Sequence, residues 1–499
     1  MNVMMLLEMA ATTFEDRVAI KNGKETLTYG ELFAAAGAAA EKIKASDARR
    51  LAVLDVSTLA IPIGLFAAGC AGVPFVPLNY RLTKEEVEKL IARITPAYLI
   101  TDAARTDELA KLDGTQVIAT GDFVKAAREG KAETSWPMDP EDVAVLLFTS
   151  GTTGAPKAAV LRQKHLVSYI LGSVEFAGAG EDDSTLVCVP PYHVAGMAAI
   201  LSSVYAGRRI IQLANFKADE WIRLVREEKV TNAFVVPTML TRVIEALEGE
   251  DSANMPSLRA ISYGGGKMPL SVITKAMKLF PETDFTNAYG LTETSSTIAV
   301  LGPDDHREAA SSDDPKIQRR LVSVGRPLPT LELEIRDDEG KVLGAGQRGE
   351  IYVRGEQVSG EYEGKGSLLD KEGWFPTRDA GSIDEGGYLF IEGRADDVIV
   401  RGGENMSPGE IEDVMLEHEA VADAAVVGIP DEQWGEAVAA AVVLKEGQSV
   451  SVEALQAFVK EHLRSSRVPQ VIKFNKELPY NETGKLLRRV VKAELSGKA

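Results

Sequence analysis

The chain has 499 residues, 45% of them hydrophobic and 26% charged, the balance of a soluble globular protein too long for one ordinary core. Its 74 acids against 55 bases leave a formal charge of −19, which argues against nucleic acid or an anionic membrane as partner. Cys70, Cys188 and five histidines show no metal-ligand spacing. No run approaches the roughly 18 apolar residues of a membrane span, and the acid-bearing start MNVMMLLEMAATTFEDRVAI is no signal peptide, so a cytoplasmic enzyme or binding protein is expected.

Residues 1–45 alternate helix and strand signals, with LTYGEL opening an Ala-rich helix that runs to about Lys44. LAVLDV (51–56) reads as a buried strand, Leu59 to Gly72 as an apolar helix, and VPFVPLN as a returning strand. That rhythm predicts a parallel sheet covered by helices. Val143 to Phe148 is a further buried strand. It feeds straight into Thr149, Ser150, Gly151, Thr152, Thr153, Gly154, Ala155, Pro156 and Lys157. Glycines let backbone N–H groups approach a polyphosphate, hydroxyls donate to it and Lys157 supplies charge. The spacing is not that of a P-loop, which would end in Gly-Lys followed by Ser or Thr.

TSGTTGAPK resembles the signature loop of the adenylate-forming superfamily, which holds acyl- and aryl-CoA ligases, peptide-synthetase adenylation domains and luciferases. A helix from Gln163 to about Gly172 precedes STLVCVPPYHVAGM, whose strand ends at Pro190-Pro191 and places Tyr192-His193 at its carboxyl end. His193 matches the family's aromatic gate, so the resemblance gives it, with Val194 and Met197, to the acyl pocket. LRAISYGGGKMP carries Gly264, Gly265 and Gly266, matching the loop that walls the acyl pocket and contacts adenine. Bare glycines there suit a bulky or long acyl group.

DFTNAYGLTET (284–294) is the second strong motif. It provides Asn287, Ala288, Tyr289 and Gly290 around adenine, Tyr289 offering a ring face, Thr292 a phosphate-directed hydroxyl, and Glu293 a carboxylate for Mg²⁺. GPDDHREAASSDDPKIQRR (302–320) shows no apolar period and reads as a mobile surface loop. From Ser323 short alternating strands with Gly-bearing turns predict a small barrel-like subdomain. In GWFPTRDAG, Asp379 matches the family's ribose-binding aspartate. Arg378 departs from the usual Thr-Gly-Asp, and the sequence leaves it three roles: clamping a phosphate, meeting an acyl-chain carboxylate, or pairing with a nearby acid.

Arg394 matches the nucleotide-contacting arginine and Asp396 the hinge. The implied architecture is α/β, with a large N-terminal domain (1–394) of parallel α/β sheets plus the small barrel-like subdomain, and a small mobile α+β C-terminal domain (395–499). Ser407-Pro408-Gly409-Glu410 predicts a capped helix start. Arg401, Gly402 and Gly403 match the segment lining the pantetheine tunnel, and Trp434 lies where some CoA ligases place a tryptophan. Lys485, in LPYNETGKLLRR, matches the catalytic lysine.

The resemblance therefore implies an ATP-dependent acyl-CoA ligase. A hydrophobic acid (fatty, aromatic or polycyclic) becomes an acyl-adenylate with release of pyrophosphate, and the acyl group then passes to CoA. Lys485, Glu293, Thr292 and Lys157 would carry the chemistry, with ATP, Mg²⁺ and CoA as cofactor and cosubstrates. A carrier-protein thiol is the alternative acceptor. A luciferase-like oxygenase or a degenerate ATP-binding protein is the reading from another class. The sequence does not separate a monomer from a homodimer.

Overall fold

The computed structural model describes residues 1–132, 134–149, 156–394, 397–401, 404–431, 433–481 and 486–497. Two large sheets carry the N-terminal part. In the eight-stranded one, Val143–Thr149, Phe75–Pro77, Arg50–Leu54, Ala97–Thr101 and Thr115–Ala119 run parallel. Lys157–Arg162 then turns back antiparallel on Val143–Thr149, and the short strand Glu361–Tyr362 adds to its far side. The nine-stranded sheet has a parallel centre, Arg209–Gln212, Ser184–Val187, Asn232–Val235, Ala260–Gly264 and Asp284–Leu291, with antiparallel strands at both edges.

Helices fill the space between the sheets. Every residue of Ala60–Ala71 from Ala60 to Cys70 is buried, as its all-round apolar sequence requires. It shares one apolar core with Val3–Thr13, Tyr29–Lys44, Val194–Ala206 and strand residues of both sheets, among them Val53, Phe75, Val145 and Ile210. No helix among the described residues is long and apolar enough to cross a membrane.

The β-rich stretch forms a four-stranded antiparallel sheet, in the order Glu332–Arg336, Gly349–Arg354, Phe375–Ile383, Leu389–Arg394. It packs through Ile335, Ile351, Val353 and Phe375 onto Ile298 and Ala299 of the strand Ser296–Leu301. The C-terminal part has a sheet of its own, centred on the long hairpin Val421–Asp431 and Gly435–Leu444. Alternation buries both faces: Val426, Val438, Ala440 and Val442 pack on the helices Pro408–Glu417 and Val452–His462, while Ala425, Val427, Ala439 and Ala441 pack with Leu478 and Val491.

Two expectations need correction. Residues 302–320 are not a loop: Pro303–Ser311 and Pro315–Gln318 are helical and Arg319–Val322 is a 3₁₀ turn. Pro303 opens the first helix, Asp304 and Asp305 suit its positive end, and Asp305 accepts from Gly302 N at 3.3 Å. Only His306 and Ala309 of this helix are buried, one of them polar, so no apolar period could be seen. His306 Nδ1 donates to Gly302 O and its Nε2 accepts from Tyr263 Oη, both at 2.8 Å. The second correction concerns Ser407. It stands at the cap of Pro408–Glu417, but its hydroxyl makes no capping bond and instead donates to Glu392 O at 2.6 Å.

Candidate active site

Neighbouring parallel strands end together, and open α/β sheets bind ligands at such carboxyl ends. Ser184–Val187, Asn232–Val235, Ala260–Gly264 and Asp284–Leu291 deliver Pro190 to His193, Val236, Gly264 to Gly266, and Ala288 to Glu293 to one edge. The glycines have a steric reason. Gly264 pairs with Ala288, and a Cβ on it would overlap the Ala288 carbonyl oxygen. Gly265 takes φ +79°, the left-handed region. Gly290 lies so close to the Ser296 carbonyl that no side chain fits.

The strands that flank the predicted phosphate loop pair antiparallel. Thr149 and Lys157 face each other in register, and Thr149 Oγ1 donates to Lys157 O at 3.3 Å. Ser150, Gly151, Thr152, Thr153 and Gly154 lie outside the described residues, as do Asp396, Gly402, Gly403 and Lys485. Lys157 Nζ stands 5.7 Å from the ring centre of Tyr362. The Tyr362 hydroxyl in turn donates to Glu293 Oε1. The backbone beside it holds the same residue: Ser359 N and Gly360 N donate to Glu293 O at 2.9 and 3.0 Å. Burial and the Glu293 carboxylate push the Tyr362 phenol up, so it stays a donor. Thr292 is half-buried beside Glu293. Mg²⁺ takes one or two carboxylates and completes its shell with phosphate and water oxygens, and one carboxylate oxygen can serve both a hydrogen bond and a cation. Glu293 fits that demand.

A second cluster adjoins it. Tyr289 Oη donates to Asp379 Oδ2 at 2.6 Å, and Asp379 Oδ1 lies 3.2 Å from Arg394 Nε. Arg394 also donates to Thr377 O at 3.1 Å, and Thr377 Oγ1 accepts from Asp379 N at 3.1 Å. Burial raises the Tyr289 phenol and Asp379 raises it further, so it remains protonated. Burial opposes the Arg394 charge, but Asp379, Tyr289, Glu293 and Asp397 more than offset that and hold its pKa up. Asn287 is tied inward, its amide donating to Ser323 O at 3.0 Å.

His193 is half-buried at the start of Val194–Ala206, against Tyr192 at 4.5 Å between ring centres. Its Nε2 is buried and has no hydrogen-bond partner among the described residues. Burial first, and the Arg81 charge second, push it down to about 4, so the ring is neutral at pH 7. Val194 is half-buried, whereas Met197 is fully buried in the main core. Arg378 adopts φ +63°; its guanidinium is 3.9 Å from Glu350, whose Oε1 also accepts from Arg378 N at 3.1 Å. Of its three possible roles, the described contacts are those of pairing with an acid. In the C-terminal part, Arg401 stands 5.4 Å from the Trp434 ring centre and donates to Ser466 O at 2.9 Å, and Trp434 is 43% exposed.

One residue of this site escaped the sequence reading. Tyr362, in EYEGKG, carries no motif; its strand pairs with Ala159, and its hydroxyl bonds Glu293. Within the C-terminal part, Arg488 forms a bidentate pair with buried Glu412 and approaches Asp397 at 3.6 Å.

Residues 7–363 match the AMP-binding enzyme family, and residues 410–485 match the AMP-binding enzyme C-terminal domain. The chain belongs to the AMP-binding enzyme family. Among its relatives, the 2-succinylbenzoate–CoA ligase of Geobacillus sp. (strain WCH70) is 34% identical over 486 residues, 96% of this chain and 94% of that protein. A fatty acid–[acyl-carrier-protein] ligase, ScoC of Streptomyces coeruleorubidus, is 32% identical over 95% of this chain and 92% of its own. The o-succinylbenzoate CoA synthetase of Bacillus subtilis, solved with its acyl-adenylate, superposes with a TM-score of 0.84 at 30% identity, covering 98% of this chain and 97% of that one. The same enzyme, with ATP and a magnesium ion, gives 0.84 at 29%, over 97% and 98%. This AMP-binding enzyme is an ATP-dependent acyl-CoA ligase that works through an acyl-adenylate, with ATP, Mg²⁺ and CoA.

Proposed function

We propose that the acid activated by this ligase is hydrophobic, with an aromatic acid first among the fatty, aromatic and polycyclic classes. The observation that carries this reading is His193, half-buried at the carboxyl end of the sheet and held neutral by burial. A neutral ring does not repel apolar carbon. Relatives named for 2-succinylbenzoate favour the aromatic class within it.

In the adenylation step the substrate carboxylate forms a bond to the α-phosphorus of ATP as the bond to pyrophosphate breaks. Such transfers depend on positioning and on stabilising spreading negative charge. Lys157, with Thr149, Ser150, Gly151, Thr152, Thr153 and Gly154, holds the departing phosphates. Glu293 and Thr292 stand beside them, and bound Mg²⁺ supplies neutralisation of the phosphate oxygens. Tyr289 and the Asp379–Arg394 pair orient the adenosine. Protonated Lys485 bridges the carboxylate and the α-phosphate.

Residues 1–394 and 395–499 act as two domains that turn about Asp396, withdrawing Lys485 and presenting Arg401, Gly402, Gly403 and Trp434 to CoA. The thiolate then attacks the acyl carbonyl and AMP leaves.

Pyrophosphate release should be measured across a carboxylic-acid panel, with and without CoA. Sustained release with aryl acids only when CoA is present is the expected result; preference for a short dicarboxylate would overturn the substrate class. ScoC favours a second reading, in which a carrier-protein thiol is the acceptor. Adenylate that forms but discharges to holo-carrier protein and not to CoA would establish it.

A further inference from the structure

Lys267 leaves the glycine loop at the candidate acyl pocket and reaches the first helix of the C-terminal sheet. Its Nζ donates to Asp413 Oδ2 at 2.7 Å and to Gly409 O at 3.3 Å. Gly409 and Asp413 are four residues apart in Pro408–Glu417, so one helical turn offers both acceptors on one face. The helix packs closely here: a Cβ on Gly409 would stand 3.2 Å from Lys267 Nζ and 3.5 Å from Glu392 O. The Ser407 hydroxyl, diverted from capping to Glu392 O, fastens the same helix end to the strand Leu389–Arg394. Arg319 adds a second positive charge near Asp413.

The residues on the near side of Lys267 have little freedom. Gly264 is pinned against the Ala288 carbonyl and Gly265 is held in the left-handed region. A force on Lys267 is therefore felt at the loop that walls the acyl site, and a shift of that loop is felt at Asp413.

We propose that Lys267 and Asp413 form a latch between the acyl-site loop and the C-terminal domain, a positioning pair that favours one of the two arrangements used by the two half-reactions. This rests on the alternation about Asp396 proposed above. When the C-terminal domain turns to present another face, the two acceptors on this helical turn leave Lys267 and the pair breaks. Both side chains are substantially exposed, 42% and 51%, so the latch adds a bias and not a trap. Exposed pairs of this kind change an equilibrium by about two- to fivefold.

The test uses the full chain as Lys267→Ala, as Asp413→Asn, and as the double swap Lys267→Asp with Asp413→Lys. Single-turnover pyrophosphate release gives the adenylation rate, and discharge of preformed adenylate on CoA gives the thioester rate. In each single variant the ratio of these rates should move about two- to fivefold from wild type, with ATP affinity unchanged. The double swap should return the ratio towards wild type, an outcome that a merely structural role would not produce. Unshifted ratios in folded single variants, or a shift the swap does not reverse, overturn the latch alone. An Asp396→Pro control that slows both half-reactions equally would sink the alternation and the latch with it.

Discussion

The Tyr362 hydroxyl donates to the Glu293 carboxylate, and the Tyr362 ring lies beside the Lys157 ammonium. One phenol thus links Lys157, at the start of the strand Lys157–Arg162, to the carboxylate that fits Mg²⁺. A hydrogen bond to a charged group contributes about 1.5–3 kcal/mol. Tyr362→Phe keeps the ring and removes only the donor. It should slow adenylation roughly ten- to a hundredfold, since each 1.4 kcal/mol is tenfold, and raise the Mg²⁺ concentration needed for half-maximal ATP binding. Titrating ATP binding against Mg²⁺ by calorimetry separates the two effects. Wild-type Mg²⁺ dependence in the variant would remove Tyr362 from the site.

Arg378 is a non-glycine residue in left-handed backbone, where a Cβ crowds the following carbonyl by roughly 1–2 kcal/mol. Its side chain is 64% exposed and faces Glu350. Arg378→Gly relieves the crowding while loosening the unfolded chain by about 0.4–1 kcal/mol, so stability should hold or rise by up to about 1 kcal/mol. Turnover should be retained. Urea denaturation and steady-state kinetics check both, and a tenfold rise in the KM of the acid would show instead that the guanidinium reaches substrate.

That position also marks how far the sequence could be read. The departure from Thr-Gly-Asp was legible, but its consequence was not, because φ is a property of the folded chain. Order of elements was legible wherever burial is periodic, as in the all-apolar helix Ala60–Ala71 and the alternating hairpin Val421–Asp431 with Gly435–Leu444. It failed at Pro303–Ser311, a helix whose inner face is an alanine and a histidine, the histidine bonded to the Tyr263 hydroxyl. Tyr289, Glu293, Asp379 and Arg394 were legible as motif residues. Their mutual bonds were not, since Tyr289 and Asp379 are joined across ninety residues of chain.

Two neutral histidines give a pH signature. Burial pushes His165 and His193 from the usual 6.5 down to about 4. The unfolded chain therefore binds more protons than the native one between these values, and stability rises with pH across that window. It is fully present above 6.5 and falls as the pH drops towards 4. At pH 5 each group should have removed up to about 2 kcal/mol. His165 Nδ1 accepts from Arg162 N at 3.1 Å, so protonating that nitrogen also loses a bond. Urea midpoints at pH 7 and pH 5 should differ less in His165→Asn than in wild type. An equal drop in both would mean that His165 is already charged in the native protein.

Trp434 offers a sharper division between the half-reactions. Its ring is largely exposed for its size, its backbone N donates to Asp431 Oδ1 at 2.9 Å, and Arg401 stands over it. An exposed indole braced by backbone and faced by a guanidinium can receive a cosubstrate without rearranging, since the aromatic surface and the charge are already in place. Trp434→Ala removes the surface and lets Arg401 relax, yet touches nothing of the Tyr289, Glu293, Asp379 cluster. The KM for CoA should rise about tenfold, the 1.4 kcal/mol expected of a lost aromatic contact with its cation. Pyrophosphate release in a single turnover without CoA should stay at the wild-type rate. Slowed adenylation with an unchanged KM for CoA would place Trp434 in packing and leave Arg401 to meet CoA without it.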